Sequence, residues 1–387
     1  MESRLIIYDT SNFRDYPIGG QLTSVGNFLQ YLTEYQSDYI DRVLLVGASC
    51  DLNEIGKITE VTVNQKKISF LPVAQIETDL SNVKKSLRLA YAKGIYKYRK
   101  KIHVQKQDLN YFQTPEAFGI IHILCPKSSC FVFSHGSYVG MWKKLRFFNR
   151  FPLIQKLFQF YLMQVIKKAD GNFVLDKSTE DEYRNYTKRI YRVCNSIHCR
   201  EFIERSLKDG KIRLVYAGRI SDGKNLLPVI EAIKKSDVIR SFTIVGDGEE
   251  REHLEKAAAG EGRIHFVGAV QPEKVGEYLA DADVMIMNSK YEGIPMTILE
   301  ALSYSLPVIS TNVGGIKEAV QFGKDSEETD GTVESICRAF VKISENYQTY
   351  ARNAWNASLK YDYKNVNAEI FKILNRKLQW KEIDEKN

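Results

Sequence analysis

The sequence lacks any apolar run long enough to cross a membrane, and it has few cysteines. No stretch approaches the roughly 18 to 20 apolar residues of a transmembrane helix, and the hydrophobic part of MESRLIIYDT at the amino terminus is too short for a secretory signal. The six cysteines are scattered, and none forms the C-x2-C pair typical of a structural zinc site. We therefore expect a cytoplasmic protein with reduced thiols and no bound metal.

Acidic residues are absent from two stretches of the first half. Residues 84–107 contain nine basic residues and no carboxylate, and no acidic residue occurs between Glu116 and Asp170. Residues 1–205 carry 30 Lys+Arg against 20 Asp+Glu, a balance of +10, whereas residues 206–387 carry 25 against 28, a balance of −3. The basic stretches are interleaved with aromatic residues, which suits an anionic membrane surface at about 1 kcal/mol per nearby cation. We expect peripheral membrane contact through the first half and, without a recognition motif, no nucleic acid partner.

One apolar segment within this basic region, residues 153–168, is predicted to be a core helix. Its apolar side chains occupy nearly all sides of a helical projection, which is typical of a buried helix rather than one lying in a membrane surface. The basic runs around it are then solvated surface.

Strand and helix patterns alternate along both halves. The first half begins with strand RLIIYDT, helix VGNFLQYLTEY and strand RVLLVGA, and further strands are predicted at GIIHILC, CFVFSHG and GNFVLDKS. After a polar stretch near residues 200–211, five strands and four helices alternate from IRLVYAG to LPVIST. The strands are rich in Val and Ile and hardly alternate, as strands covered on both faces do. We predict two Rossmann-like, doubly wound α/β domains, residues 1–205 and 206–362. A carboxyl-terminal helix follows over 363–387, for which a return to the first domain is one placement.

Two glutamates bracket a turn in YEGIPMTILE, residues 291–300. Glu292 follows the predicted strand DVMIMNS, and Pro295 suits the first position of the helix that carries Glu300. Ligands of an open parallel sheet bind beyond the carboxyl ends of the strands, where helices begin. The unpaired N–H groups of that helix start attract phosphate, and the glycines at 293, 314 and 315 let the backbone come close. We expect Glu300 to hold a ribose diol and Glu292 to face the group attached to the phosphates.

Two cations precede this segment in AGRISDGKN. Arg219 ends the predicted strand IRLVYAG, and Lys224 comes five residues later at the start of the next helix. Arg grips a diphosphate with two parallel hydrogen bonds, and Lys adds a mobile charge. The D-x-D pattern in DADV precedes a buried strand, so we interpret it as structural rather than as a metal site.

The ordered series AGRISDGKN, VGDGEERE, DADVMIMNS, EGIPMTILEA and LPVISTNVGG resembles the GT4-type retaining glycosyltransferases of the GT-B fold, strongly over residues 212–320. The spacing from Glu292 to Glu300 matches the family's E-x7-E motif. The resemblance implies two Rossmann-like domains facing a central cleft. It implies a role in catalysis for Glu292, Arg219, Lys224 and His135. It also implies a donor site built from Gly19, Gly20, Arg219, Lys224, Glu292, Gly293, Ile294, Pro295, Met296, Thr297 and Glu300.

The chain departs from the family pattern at a few positions. Ser305 stands where glycine usually precedes LPVI, and NSIH at 195–198 stands where NGID is common. The resemblance implies a metal-independent hexosyl transfer with retention, from a nucleotide-sugar that is expected to be UDP-linked. The expected acceptor is a lipid-linked bacterial glycan of capsule, O-antigen or exopolysaccharide type, at the inner face of the cytoplasmic membrane. Two alternatives stay open: a nucleotide-sugar epimerase of the same fold, and a catalytically silent sugar-nucleotide-binding protein.

Overall fold

The computed structural model of the chain describes residues 3–14, 20–76, 86–136 and 152–384. The chain divides into two compact units. The first unit comprises Met1–Cys194 and Lys364–Asn387, and the second comprises Asn195–Tyr363. Each unit is an α/β structure built on its own sheet, which confirms the predicted fold class. Among the helices that the structure describes, none has the length and apolar character needed to span a bilayer.

The first unit contains an eight-stranded sheet in the order β3-β4-β2-β1-β5-β6-β7-β8. Its strands are β1 (Leu5–Tyr8), β2 (Val43–Ser49), β3 (Thr59–Val63), β4 (Lys66–Gln75), β5 (Leu109–Phe112), β6 (Ser129–Ser134), β7 (Gly171–Val174) and β8 (Ile190–Arg192). Its helices are α1 (Gly20–Tyr35), α2 (Ser37–Ile40), α3 (Leu87–Lys97), α4 (Arg99–Ile102), α5 (Phe118–Leu124), α6 (Pro152–Lys168) and α7 (Lys177–Arg184). The central strands β1, β2, β5, β6 and β7 are buried along their whole length, as expected of parallel strands covered on both faces.

Several elements of the first unit differ from the sequence prediction, among them strands β5 and β8, which were not predicted. The segment GIIHILC, predicted as a strand, forms most of helix α5. Phe118 and Ile121 are buried, whereas Ile123 and Leu124 are exposed, so this helix has one buried face. A short apolar run alone does not distinguish such a helix from a buried strand. The hairpin of β3 and β4, which is the only antiparallel strand pair among the described residues of this sheet, was not predicted. In its turn, Asn64 and Gln65 have φ +45° and +64°. These are values of a two-residue hairpin turn, for which the usual sequence is Asn-Gly.

Helix α6 departs from the expected core helix. Leu162, Val165 and Ile166 are buried, but Leu153 and Leu157 of its first turns are exposed. The second half of the helix therefore covers the sheet, and an apolar stripe of the first half remains at the surface.

The second unit contains six parallel strands in the order β11-β10-β9-β12-β13-β14. The strands are β9 (Ile212–Ala217), β10 (Ile239–Val245), β11 (Ile264–Gly268), β12 (Val284–Met287), β13 (Val308–Thr311) and β14 (Ser326–Thr329). The helices are α8 (Leu227–Lys234), α9 (Arg251–Ala257), α10 (Pro272–Asp281), α11 (Met296–Ser303), α12 (Ile316–Ala319), α13 (Val333–Glu345) and α14 (Tyr347–Ser358). All nine elements predicted from IRLVYAG to LPVIST are confirmed. The strand order reverses between β9 and β12, which is where such sheets open a crevice for ligands.

The carboxyl-terminal helix α15 (Tyr363–Asp384) packs on the first unit. Its Phe371 ring lies 5.3 Å from the ring of Tyr39 in an edge-on contact and 6.4 Å from the ring of Tyr31. The chain therefore returns to the first unit after completing the second.

Ser305 explains why glycine is usual at its position. Its backbone has φ +61°, in the left-handed region that glycine enters without a steric cost. Its side-chain oxygen is also buried without a hydrogen-bond partner in the part of the chain that the structure describes. The sharp entry into β13 is thus kept here at some cost in stability.

Candidate functional site

The loops that follow β9 and β12 meet at the reversal point of the second sheet. The backbone N–H of Lys290 donates to the carbonyl of Gly223 over 2.8 Å, and the Lys290 ammonium pairs with Asp222 at 2.7 Å. These contacts join the AGRISDGKN loop to the loop that carries Glu292. The predicted cations and the first glutamate therefore belong to one local structure.

Glu292 is held by two partners. The Lys224 ammonium donates to one of its carboxylate oxygens, and the Ser289 hydroxyl donates to the same oxygen over 2.7 Å. The side chain of Glu292 is only 12% exposed. A half-buried lysine and carboxylate in this arrangement form a fixed charged surface on which a polar ligand can dock.

Ser289 was not singled out from the sequence. It lies three residues before Glu292 and is almost fully buried, and its carbonyl accepts a hydrogen bond from Thr311 of β13 over 2.7 Å. Ser289 orients the Glu292 carboxylate only because the strand end and the turn bring the two side chains together. In the sequence, the only sign of this role is a polar residue close to a glutamate.

Arg219 lies at the carboxyl end of β9 and extends into solvent. Its side chain is 75% exposed and pairs with Glu249 in the loop after β10, at 3.1 Å. The hydroxyl of Tyr216 donates to the Arg219 carbonyl over 2.7 Å and fixes the backbone there. Arg219 therefore lies on the same edge of the sheet as Lys224, but its guanidinium is engaged by a carboxylate that the sequence reasoning had not identified.

Helix α11 begins with unpaired backbone donors. Pro295, predicted to be the first helical residue, is instead the residue before it, with φ −68° and ψ +127°. Its extended ψ follows from the turn that brings the chain out of the Glu292 loop, and its carbonyl accepts from Ile298 over 3.2 Å. The N–H groups of Met296 and Thr297 donate to no acceptor within the described residues. They leave a partial positive charge at the helix start.

Glu300 lies one turn into α11, about 6 Å along the axis from Met296. It is half-buried, and burial raises the pKa of its carboxyl. Within the described chain, no group donates a hydrogen bond to this carboxylate. Its oxygens are not among the buried polar atoms that lack a hydrogen-bond partner, so solvent reaches them, and the hydroxyl groups of a ligand can replace that water.

The remaining residues of the predicted donor loop differ in how they are packed. A Cβ added at Gly293 would meet no atom within 4 Å, so the chain there is open. A Cβ at Gly314 would come within 1.8 Å of the Glu292 carbonyl oxygen, and Gly315 donates to the carbonyl of Gly293 over 3.1 Å. The double glycine thus serves close packing of two protein loops. The carbonyl of Ile294 accepts from Asn195 at 3.4 Å.

Three predicted site residues belong to the first unit. Gly19 lies outside the described residues, and Gly20 is the first residue of α1. His135 follows β6, where its Nε2 is 2.9 Å from the side-chain oxygen of Gln113. Burial lowers the pKa of His135 to about 4. Their roles in donor binding stay predictions.

The two aspartates of DADV form ion pairs. Arg213 pairs with Asp281 at 2.7 Å and with Asp283 at 2.8 Å. Among residues 3–14, 20–76, 86–136 and 152–384, no group of three or more His, Cys, Asp or Glu side chains is arranged to hold a metal ion.

Comparison with known proteins identifies the second unit. Residues 211–346 match the sequence profile of the family Glycosyl transferases group 1. The chain is 36% identical over 111 residues to the putative teichuronic acid biosynthesis glycosyltransferase TuaC of Bacillus subtilis, a match that covers 28% of this chain and 26% of TuaC. It is 30% identical over 159 residues to the O-antigen biosynthesis glycosyltransferase WbnH of Escherichia coli, covering 41% and 45% of the two chains. The chain thus spans between about a quarter and a half of the length of these curated relatives.

Solved structures resemble the whole chain. Sucrose-phosphate synthase of Thermosynechococcus elongatus superposes with a TM-score of 0.77 at 14% identity, over 97% of this chain and 99% of that one. The Anabaena protein HepE in complex with UDP-glucose superposes with a TM-score of 0.66 at 16% identity, over 97% and 100%. At such identities the likeness concerns the fold. The chain has the GT-B fold, and its residues 211–346 match the glycosyl transferases group 1 family.

Proposed function

We propose that this protein is a retaining glycosyltransferase that moves a sugar from a nucleotide-sugar donor, UDP-linked by preference, to a growing bacterial glycan. The observation that carries the proposal is Glu300. It is a half-buried carboxylate to which no described residue donates, one helical turn from the unpaired N–H groups of Met296 and Thr297. A nucleoside diphosphate complements both features, because its ribose diol donates hydrogen bonds and its diphosphate accepts them.

The charged groups around α11 suit the leaving group. Lys224 is held against Glu292, and Arg219 is held by an exposed carboxylate that a diphosphate can replace. These cations and the helix start supply the positive charge for the departing diphosphate, and the reaction is therefore proposed to need no metal. Removing one such preorganised donor typically lowers the rate by about 10² to 10³.

The proposed transfer is balanced without a cofactor. The bond between the anomeric carbon and the diphosphate oxygen breaks, and the nucleoside diphosphate leaves with the electron pair. An acceptor hydroxyl oxygen bonds to the anomeric carbon on the same face, and its proton passes to the departing phosphate. Glu292 contacts the donor sugar or its phosphate, and His135, as an uncharged imidazole at neutral pH, contributes a hydrogen bond from the first unit.

The relatives support the donor and the pathway. HepE was crystallised with UDP-glucose, and the names of TuaC and WbnH place those proteins in teichuronic acid and O-antigen biosynthesis. We extend both properties to this chain, with a lipid-linked acceptor of a cell-surface polysaccharide. Such an acceptor requires a cytoplasmic enzyme that works peripherally at the inner membrane face, which the basic first half suits.

A donor screen tests the proposal. The protein is incubated with UDP-, GDP- and dTDP-sugars, and thermal shift and donor hydrolysis are measured for the parent, Lys224→Ala and Lys256→Ala. Lys256 is a matched control, because it is an exposed lysine on α9. We expect one nucleotide class to raise the melting temperature, and Lys224→Ala alone to lower hydrolysis by about 10² or more.

Other outcomes would replace the proposal. Interconversion of the donor sugar without an acceptor indicates an epimerase. Binding without transfer or hydrolysis, in the presence of a membrane extract that contains acceptor, indicates a silent sugar-nucleotide-binding protein. An unchanged rate in Lys224→Ala would contradict the assigned site.

A further inference from the structure

Helix α6 carries two apolar stripes, and the fold of the first unit buries only one of them. The inner stripe consists of Phe158, Leu162 and Val165, with the spacing of one helical face. Leu162 and Val165 are fully buried, and Phe158 packs against the same core. The inner stripe packs α6 against the core of the first unit, and the outer stripe is exposed.

The outer stripe lies on the opposite side of the helix. Leu153, Leu157 and Phe160 repeat the same i, i+4, i+7 spacing and are 71%, 62% and 60% exposed. Single exposed apolar side chains are ordinary on protein surfaces, but three large ones on one helical face are a recognised mark of an interaction surface.

Helix α5 contributes two further exposed apolar residues. It lies against α6, because the N–H of Gly119 donates to the Tyr161 hydroxyl over 3.3 Å. Its last residues, Ile123 and Leu124, are both exposed. We call the exposed apolar residues of α5 and α6 the α5–α6 face.

The charge around the α5–α6 face has one sign. The described part of this stretch, residues 117–136 and 152–169, contains no Asp or Glu and four lysines, Lys127, Lys156, Lys167 and Lys168. The acidic residues that bound this stretch face other partners: Glu116 pairs with Arg88 at 3.1 Å, and Asp170 accepts a hydrogen bond from the backbone of Cys130 over 2.9 Å. Lys156 and Lys168 of α6 are exposed. A partner must therefore offer an apolar interior beneath a layer of negative charge.

We propose that the α5–α6 face inserts into the headgroup and acyl boundary of an anionic lipid bilayer. The inference rests on the proposed function only for its biological setting. It adds a specific element and a mode of binding, because apolar side chains enter the bilayer in addition to the attraction of cations to its surface. A second copy of the chain is the poorer partner, since two cation-rich faces repel each other.

Insertion and surface attraction differ in their response to salt. Attraction between exposed cations and lipid headgroups weakens as the Debye length falls from about 10 Å at 0.1 M to about 4 to 5 Å at 0.5 M salt. The transfer of Leu and Phe side chains out of water is not screened. Part of the vesicle binding through the α5–α6 face should therefore remain measurable at 0.5 M salt.

Sedimentation with vesicles tests the inference. Vesicles of phosphatidylcholine with phosphatidylglycerol, and of phosphatidylcholine alone, are mixed with the parent and with Leu157→Ser/Phe160→Ser in 0.1 M and 0.5 M salt. Leu52→Ser is the matched control, because Leu52 belongs to the same unit and is 65% exposed. We expect the parent to prefer the anionic vesicles and the double variant to bind them roughly 10- to 100-fold more weakly at both salt concentrations. Leu52→Ser should bind like the parent.

A second readout needs no variant. Hydrogen exchange of the parent protein should slow in residues 152–161 when anionic vesicles are added. Equal binding by the parent and the double variant, an equal loss in Leu52→Ser, or dimers of the parent that the double variant abolishes would overturn the inference. Nucleotide binding measured on the same samples separates this result from the proposed function, because the variants leave the donor site untouched.

Discussion

Replacement of Glu300 by Gln should stabilise the empty protein and weaken its nucleotide binding. The wild-type carboxylate is half-buried, no described residue donates to it, and burial raises its pKa. At pH 8 the folded protein therefore holds a partly desolvated charge, which the amide removes. We expect the free energy of unfolding to rise by roughly 1 kcal/mol, equivalent to about 2 to 4 °C in melting temperature for a unit of this size.

The same change should cost affinity. Two hydrogen bonds from a ribose diol to a carboxylate are each worth about 1 kcal/mol more than to a neutral amide. The sum of about 2 kcal/mol corresponds to a roughly 30-fold higher Kd for UDP. Calorimetry and thermal unfolding of Glu300→Gln measure both effects, with the exposed Glu252→Gln on α9 as control.

The stabilisation by Glu300→Gln should depend on pH. A carboxyl whose folded pKa is raised stabilises the fold in its protonated form, and that advantage is lost as the pH rises through the folded pKa. The melting-temperature gain of Glu300→Gln should therefore shrink as the pH falls towards the ordinary value of 4.5. A variant that melts below the wild type at pH 8, or that binds UDP with unchanged affinity, would refute the reasoning about Glu300.

Three further predictions follow from other contacts. Gly314→Ala should lose about 2 to 4 kcal/mol of unfolding free energy, because Gly314 has φ +55° and its Cβ would meet a backbone oxygen at 1.8 Å; Gly262→Ala, where a Cβ meets nothing, should change little in the same denaturant titration. Glu249→Gln should tighten UDP binding by no more than about fivefold at low salt, since it frees Arg219 from an exposed ion pair, and a looser complex would contradict that role. Burial lowers the pKa of His135 from 6.5 to about 4, so the unfolded state binds the extra proton between these values and stability should fall by on the order of 2 to 3 kcal/mol as the pH drops from 6.5 to 4. Replacing His135 by Asn should flatten that decline in urea titrations, and an unchanged slope would show that other groups cause it.

The sequence predicted the second unit well because strand composition, helix periodicity and turn residues all indicate the same elements. Short Val- and Ile-rich strands, amphipathic helices and turn residues alternate without ambiguity, so β9 to β13 and their helices lie where expected. The sequence placed Arg219, Lys224, Glu292 and Glu300 near one edge of this sheet because the ends of parallel strands gather there, and their roles stay predictions. The pairing of Glu249 with Arg219 was not predicted, since it joins loops 30 residues apart.

The first unit shows where local patterns fail. Residues 118–124 could have filled a buried strand or one face of a helix, and packing against α6 decided the outcome. The prediction that α6 is a core helix was wrong for its first turns, which are exposed. The sequence of a helix that is apolar on all sides does not show which side the sheet will cover. The hairpin turn at Asn64 and Gln65 adopts positive φ values without the glycine that usually marks them.

The most direct measurement for the whole account is a structure of the protein with UDP bound. The account predicts ribose hydroxyls within hydrogen-bond distance of the Glu300 carboxylate, and diphosphate oxygens at the N–H groups of Met296 and Thr297 beside Lys224. A nucleotide bound elsewhere, with Glu300 still lacking a donor, would contradict it.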